Sequence, residues 1–105
     1  MRLLDLYSII RKRIKEKPEE SKVAGIFSQG EDRMLQKIGE EAVELVIAGK
    51  GHDRQRVIEE TADLYFMSLI FLAAKGITVL DIYKELTRRV AGKKEIHLKN
   101  FSRRK

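Results

Sequence analysis

The most constraining feature of the chain is a segment of eleven residues without a charge, Leu64–Ala74, which reads Leu-Tyr-Phe-Met-Ser-Leu-Ile-Phe-Leu-Ala-Ala. At about 3.6 residues per turn, such a segment is apolar on every side of a helix, and a helix of this kind must be buried all round. It is too short to cross a membrane. Because four short helices do not easily surround one of their own number, we expect this helix to be buried partly against a second chain.

Helical periodicity and helix-ending residues divide the chain into four helices, at about residues 3–16, 31–48, 53–75 and 79–91. Pro18 limits the first helix. No alternating strand pattern and no internal repeat is present. The sequence therefore predicts an all-α, four-helix, bundle-like fold that is completed by oligomerisation, as a dimer or a tetramer.

Capping signals support these boundaries. Ser28–Glu31 matches a capping box and predicts the start of the second helix. Asp53 is positioned to cap the third helix, and Thr78–Asp81 resembles a second capping box before the fourth. Glycines mark the helix ends that follow. These stop signals are Gly49, Gly51, Gly76 and Gly92.

The positive charge of the chain is concentrated near its C-terminus. Residues 88–105 contain eight basic groups and one acidic group, whereas the other residues contain 14 basic and 15 acidic groups. We interpret residues 1–92 as a single helical domain and residues 93–105 as a basic tail. The tail is either a solvated end or a segment that binds a phosphate-rich ligand or a partner subunit, and we do not expect dedicated nucleic-acid binding.

Cysteine usage and the N-terminal charges bear on the cellular environment. The chain contains no Cys, which excludes a disulfide framework and thiolate metal sites and fits a reducing compartment. Asp5 interrupts the apolar N-terminal stretch, and the basic residues 11–13 follow closely. From this pattern we expect no signal-peptide core and no membrane span, and we predict a cytoplasmic protein.

Two acidic pairs, Glu41 with Glu44 and Glu60 with Asp63, lie within strongly apolar helical segments. The i, i+3 spacing places each pair on one helix face, with Cβ atoms about 5–6 Å apart. Carboxylates among apolar residues are unfavourable unless a counter-charge neutralises them. Four carboxylate ligands without Cys or paired His suit a hard divalent cation such as Mg²⁺.

The two pairs fall on rows that can face each other. Lys37 precedes Glu41 and Glu44 on one helix row, and Arg56 precedes Glu60 and Asp63 on the next helix. Antiparallel packing around Gly51 would place the rows across a cleft. A metal there would neutralise phosphate oxygens, orient the scissile bond and lower the pKa of a bound water. The alternative is a solvated face in which the two basic residues are ion-pair partners of the carboxylates.

The segment from Gly30 to Glu44 resembles the phosphoribosyl-ATP pyrophosphohydrolase family of histidine biosynthesis. This family belongs to the all-α nucleotide pyrophosphohydrolases, which include MazG-like enzymes and dimeric dUTPases. The segments Asp53-Arg54 and Glu60–Leu64, and Gly76-Ile77 followed by Asp81, continue the resemblance, which covers about residues 28–90. The Glu-x-x-Glu and Glu-x-x-Asp pattern of the superfamily is present in full.

The resemblance implies an Mg²⁺-dependent enzyme that hydrolyses a nucleotide between its α- and β-phosphates and releases pyrophosphate. Its active site would be completed by helices from a neighbouring chain. Arg33 and Lys37 would contact phosphates, and Glu40 and Arg56 are additional site candidates. The resemblance assigns the catalytic and metal-binding roles to the residues of the two acidic pairs, Glu41, Glu44, Glu60 and Asp63.

Three departures from the family pattern leave the substrate open. Ser21–Val23 replaces a common Ser-Tyr-Thr, Phe66 and Met67 replace Tyr-His, and Ala91-Gly92 replaces Ser-Gly. The expected reaction is conversion of phosphoribosyl-ATP to phosphoribosyl-AMP and pyrophosphate. One alternative is a MazG-like enzyme acting on another nucleoside triphosphate or deoxynucleoside triphosphate. The other is a non-catalytic helical interaction module.

Overall fold

The computed structural model describes the backbone of residues 2–16 and 21–103 and the side chains of residues 2–16 and 21–91. Every regular element in these ranges is an α-helix, which confirms the predicted all-α class. α3 and α4 form the most extensive helix pair, and α1 packs on α4 and α2. The five helices are α1 (Leu3–Glu16), α2 (Lys22–Ser28), α3 (Glu31–Lys50), α4 (Arg54–Ala74) and α5 (Val79–Arg103).

The short helix α2 lies in a stretch where the sequence predicted no helix. Ser21 is its N-cap, and the Ser21 hydroxyl accepts a hydrogen bond from the backbone N–H of Ala24 at 3.2 Å. Val23 and Ile26, one turn apart, are both buried in the core. A helix of seven residues is marginal on its own, so packing of this apolar face stabilises it.

The predicted capping box at Ser28 is wrong. Ser28 is the last residue of α2, and its hydroxyl donates a hydrogen bond to the carbonyl of Gly25 at 2.8 Å. Gly30 occupies the N-cap position of α3 instead, with φ at 96°. Since this backbone conformation strains residues that carry a Cβ, glycine suits the sharp turn between the two helices.

The other predicted caps are confirmed. The carboxylate of Asp53 accepts hydrogen bonds from the N–H groups of Gln55 and Arg56 at 3.0 and 3.3 Å. Thr78 and Asp81 form the reciprocal capping box, with bonds of 3.1 and 2.9 Å.

The end of α4 is a Schellman turn at Gly76, the predicted stop. Gly76 has φ at 71°, and its N–H donates to the carbonyl of Ala73 at 3.1 Å. The N–H of Ile77 donates to the carbonyl of Leu72 at 2.9 Å. The left-handed glycine therefore ends α4 and redirects the chain into α5.

The predicted helix end near Gly92 is wrong, because α5 continues to Arg103. One glycine inside a helix costs about 1 kcal/mol relative to alanine and does not end the helix by itself. Residues 93–103, which belong to the assigned basic tail, therefore extend α5, and the separation of the tail from the helical domain stays a prediction. Pro18, the predicted limit of the first helix, lies outside the described residues.

Part of the C-terminal positive charge is paired within α5. Arg88 and Arg89 both contact the Glu85 carboxylate, the latter at 3.0 Å. Hydrogen bonds from Arg88, which has the larger effect, and from Arg89 lower the pKa of Glu85 to about 2. These two basic residues therefore contribute less free charge to an anionic partner than the sequence count suggests.

The hydrophobic core lies where α1, α2 and α3 meet α4. Ile10 and Ile70 are the largest fully buried side chains, and the hydroxyl of Tyr7 donates to the carbonyl of Ile77 just beyond α4. Much of the charge-free segment of α4, Leu64–Ala74, packs in or against this core. The core cluster consists of Tyr7, Ile10, Val23, Ile26, Met34, Met67, Leu69 and Ile70.

None of the described helices is, by itself, long and apolar enough to cross a membrane. α4 together with Val79–Ala91 of α5 reaches the required length and composition, but the two helices meet at an angle of 110°.

Truncation of Ile70 tests the position of the core. We expect Ile70→Ala to lower the free energy of unfolding by about 2–5 kcal/mol, because the fully buried side chain leaves a cavity. Ile9→Ala is the matched control, since Ile9 is 41% exposed on α1. Urea denaturation of both variants measures the difference, and equal losses would contradict the described core.

Candidate metal centre

The geometry of the candidate site is set by the short connection between α3 and α4. α3 ends at Lys50, Gly51 is its C-cap, and α4 begins at Arg54 directly after its cap. A connection this short makes the two helices antiparallel neighbours. At the other end of the pair, Lys75 Nζ contacts Glu31 Oε1 at 3.0 Å. The antiparallel packing predicted around Gly51 is therefore confirmed.

Three of the four predicted carboxylates come together between these helices. Glu41 from α3 and Glu60 and Asp63 from α4 each offer a carboxylate oxygen, and these oxygens lie within 4.8 Å of one another. Glu41 and Glu60 are partly buried, whereas Asp63 is exposed. Glu44 is outside this group, and about half of its side chain is exposed.

The negative charge of the cluster is only partly compensated by neighbouring basic residues. Burial raises the pKa of Glu41 above its usual value, and the charges of Asp63 and Glu60 raise it further. Lys37 lowers the pKa of Glu41 but does not cancel these effects. Three hard oxygen donors that repel one another fit a hard divalent cation, because each carboxylate would then be attracted to the shared positive charge.

Arg56 connects the two acidic pairs. Its Nη2 atom lies 3.4 Å from Glu60 Oε1 on its own helix and 3.8 Å from Glu44 Oε2 on α3. The sequence placed Arg56 beside Glu60 on one row, but it did not predict the contact across to α3. The antiparallel register is the signal that could have predicted it, because it places Glu44 opposite Glu60, and Arg56 lies one turn from Glu60 on α4.

The predicted phosphate-binding residues lie on α3. Arg33 Nη1 is 3.8 Å from Glu40 Oε2, two turns further along the helix. Lys37, partly buried, lies between them and is close enough to Glu41 to influence its pKa. Arg33 and Lys37 therefore form a positive strip that leads along α3 to the acidic cluster.

The positions that depart from the family pattern have structural roles. Met67 lies one turn beyond Asp63, is 3% exposed and belongs to the hydrophobic core. Phe66 packs against the same core and is partly buried. Val23, which stands in place of the common Thr, is buried in the same core. Met67 thus contributes apolar packing where a histidine would bring a polar ring.

A cavity of about 970 Å³ lies away from the acidic cluster. It is lined mainly by the second half of α1, including Arg11, Lys12 and Lys15, together with Ala73 of α4. The acidic cluster instead occupies a partly open surface between α3 and α4.

Comparisons with known proteins agree on one family. A family model described as phosphoribosyl-ATP pyrophosphohydrolase matches residues 3–90. A protein from Geobacter sulfurreducens named phosphoribosyl-ATP pyrophosphatase is 45% identical over 84 residues, which are 80% of this chain and 78% of the relative. Relatives of the same name from Leptospira biflexa and Metallosphaera sedula are 46% and 42% identical over 83% and 84% of this chain and 95% of each relative.

Neutralising Glu41 tests the electrostatics of the cluster. Because the folded-state pKa of Glu41 is raised, its ionisation destabilises the folded, metal-free protein. That loss is absent below the unfolded-state value of 4.5 and grows as the pH rises through the raised pKa. We therefore expect Glu41→Gln to be more stable than the original chain at neutral pH, with the difference vanishing in acid.

Chemical denaturation in EDTA between about pH 4 and pH 8 measures this difference. Glu59→Gln is the control, since Glu59 is an exposed carboxylate of α4 that accepts a hydrogen bond from Gln55 at 3.3 Å. A gain in stability that is equal in the two variants, or independent of pH, would contradict the described repulsion.

Proposed function

The chain belongs to the phosphoribosyl-ATP pyrophosphohydrolase family, and from this membership we propose that it hydrolyses phosphoribosyl-ATP to phosphoribosyl-AMP and pyrophosphate in histidine biosynthesis. The observation that carries the proposal is the convergence of Glu41, Glu60 and Asp63 from two helices onto one open surface, within the part of the chain that the family model matches. A solvated charge face would not require carboxylates of two helices to meet.

We further propose that Mg²⁺ is the cofactor. Glu41, Glu60 and Asp63 would hold it, and Glu44 would complete the set once its side chain turns from Arg56. When bound, the metal supplies charge neutralisation at the phosphate oxygens and a lowered pKa for a coordinated water. The raised pKa of Glu41 supports a cation at this place, because a positive charge would relieve the repulsion that raises it.

The residues of α3 have complementary tasks in this proposal. Arg33 and Lys37 attract the polyphosphate and hold it beside the cluster by charge-assisted hydrogen bonds. Glu40 keeps the Arg33 guanidinium along the helix axis through the contact at 3.8 Å. Hydrolysis adds one water across the α–β anhydride, so the nucleoside monophosphate and pyrophosphate leave as separate anions.

A homo-oligomer, dimer or tetramer, is part of the proposal. The two helices that carry the acidic cluster also carry exposed apolar side chains, most of which lie about 200° around the helix from an acidic residue and so point away from the cluster. Val46, for example, is 65% exposed. A second chain on this apolar surface would bury these side chains. These exposed apolar residues include Val43, Val46 and Ile47 on α3 and Ile58 and Tyr65 on α4. We expect such an enzyme to act in the cytoplasm.

Pyrophosphate release tests the function. We expect release from phosphoribosyl-ATP in the presence of Mg²⁺ and little release in EDTA. Glu41→Gln, Glu60→Gln and Asp63→Asn should each lower kcat/KM on the order of 100-fold or more, because each removes a charged ligand. Glu59→Gln, which changes an exposed carboxylate on the same helix, should retain activity.

A panel of canonical and modified nucleoside triphosphates distinguishes the phosphoribosyl-ATP hypothesis from the MazG-like alternative. The family substrate should be hydrolysed with the highest kcat/KM. Faster hydrolysis of another triphosphate would identify that triphosphate as the substrate and would favour the MazG-like alternative. Absence of release from every substrate, with the protein folded and Mg²⁺ present, would sink the enzymatic proposal.

The oligomeric state tests the proposed interface. We expect light scattering to give a mass of at least two chains. Val46→Glu should shift the protein toward the single chain, because it places a charge on the exposed apolar stripe of α3. Ile9→Glu, on the exposed side of α1, should leave the mass unchanged. A stable monomer in the unmodified protein would contradict the interface.

A further inference from the structure

The side chain of Arg56 lies beside the carboxylates that are proposed to bind the metal ion. Its guanidinium contacts one carboxylate of each acidic pair, Glu60 at 3.4 Å and Glu44 at 3.8 Å. Glu60 also contributes to the cluster with Glu41 and Asp63. Arg56 is therefore the group that joins the cluster to the fourth predicted ligand.

Burial makes the contact with Glu60 the stronger of the two. The Glu60 side chain is only 14% exposed, whereas the side chains of Glu44 and Arg56 are 49% and 48% exposed. A poorly hydrated carboxylate among like charges needs a nearby positive charge, and solvent screens this attraction less than it screens a surface pair. The guanidinium supplies that charge without any bound metal.

We propose that Arg56 is a built-in counter-cation, which neutralises Glu60 and Glu44 in the metal-free protein and competes with the divalent cation for them. This inference rests on the proposed metal site and concerns its regulation. A carboxylate oxygen that coordinates a metal ion is a weaker hydrogen-bond acceptor for the guanidinium. Binding of the metal and contact with Arg56 therefore compete for the same carboxylates. Arg56 sets the metal affinity below the value that the carboxylates alone would give.

The arginine side chain suits this role for two reasons. Its guanidinium is a delocalised and weakly hydrated cation, which suits a partly buried ion pair. Its planar fork can contact two carboxylates on different helices, whereas a lysine ammonium is a compact point charge. Arg56→Lys should therefore preserve part of the effect, and Arg56→Gln should remove it.

Isothermal titration with MgCl₂ at constant ionic strength tests the competition in the full chain. We expect Arg56→Gln to bind Mg²⁺ about three- to tenfold more tightly, the range available from two partly exposed ion pairs. Arg56→Lys should fall between this variant and the original protein. Arg54→Gln is the matched control, because it removes the same charge two residues away on the opposite side of α4, and it should change the affinity less than twofold.

Thermal unfolding provides a second readout that does not depend on activity. In EDTA, Arg56→Gln should unfold at a lower temperature than Arg54→Gln, because the metal-free carboxylates lose their counter-charge. Saturating Mg²⁺ should raise the Tm of Arg56→Gln by more than it raises that of the original chain. Circular dichroism establishes that each variant is folded, and Arg56→Lys replaces Arg56→Gln if the latter does not fold.

The outcomes are distinguishable. Weaker Mg²⁺ binding by Arg56→Gln, or a change no larger than that of Arg54→Gln, overturns the competition while leaving the metal site intact. Absence of Mg²⁺ binding in the original protein overturns both the metal site and the role of Arg56. Tighter binding confined to Arg56 variants, together with the larger Mg²⁺-dependent rise in Tm, supports the inference.

Discussion

The antiparallel pairing of α3 with α4 is the constraint on which the rest of the structure depends. The connection at Gly51–Asp53 is so short that residues at equal distances from the turn must face each other. Glu41 therefore meets Asp63, and Glu44 meets the turn of α4 that carries Arg56 and Glu60. A shift of one residue would rotate a carboxylate by about 100° around its helix and remove it from the cluster.

Most of this arrangement could be predicted from the sequence, because the decisive signals are local and strong. Asp53 and Gly76 define the ends of α4, and the acidic spacings place the carboxylates on rows beside apolar stripes. The short connection then brings those rows together. The contact of Arg56 with α3 follows from the same register, although it needs side-chain lengths that a helical wheel does not contain.

The remaining features depend on tertiary packing or on small differences in free energy. α2 has only seven residues, and its stability comes from burying Val23 and Ile26 against other helices. Serine is a common N-cap residue, but Ser28 is the last residue of α2 and does not begin the next helix. The glycine at position 92 resembles a stop signal, yet an isolated glycine does not outweigh the helix formers on both sides of it. The same residue types thus have opposite meanings in different contexts.

The contact of Tyr7 with the carbonyl of Ile77 joins positions that are 70 residues apart in the chain. The pairing of α3 with α4 needs only a short loop, so it can form early and without the ends of the chain. The carbonyl that accepts the hydrogen bond of Tyr7 is positioned only when the corner at Gly76 has formed. We therefore expect the N-terminal helix to dock after α3 and α4 have paired, because its tyrosine contact closes a much longer loop.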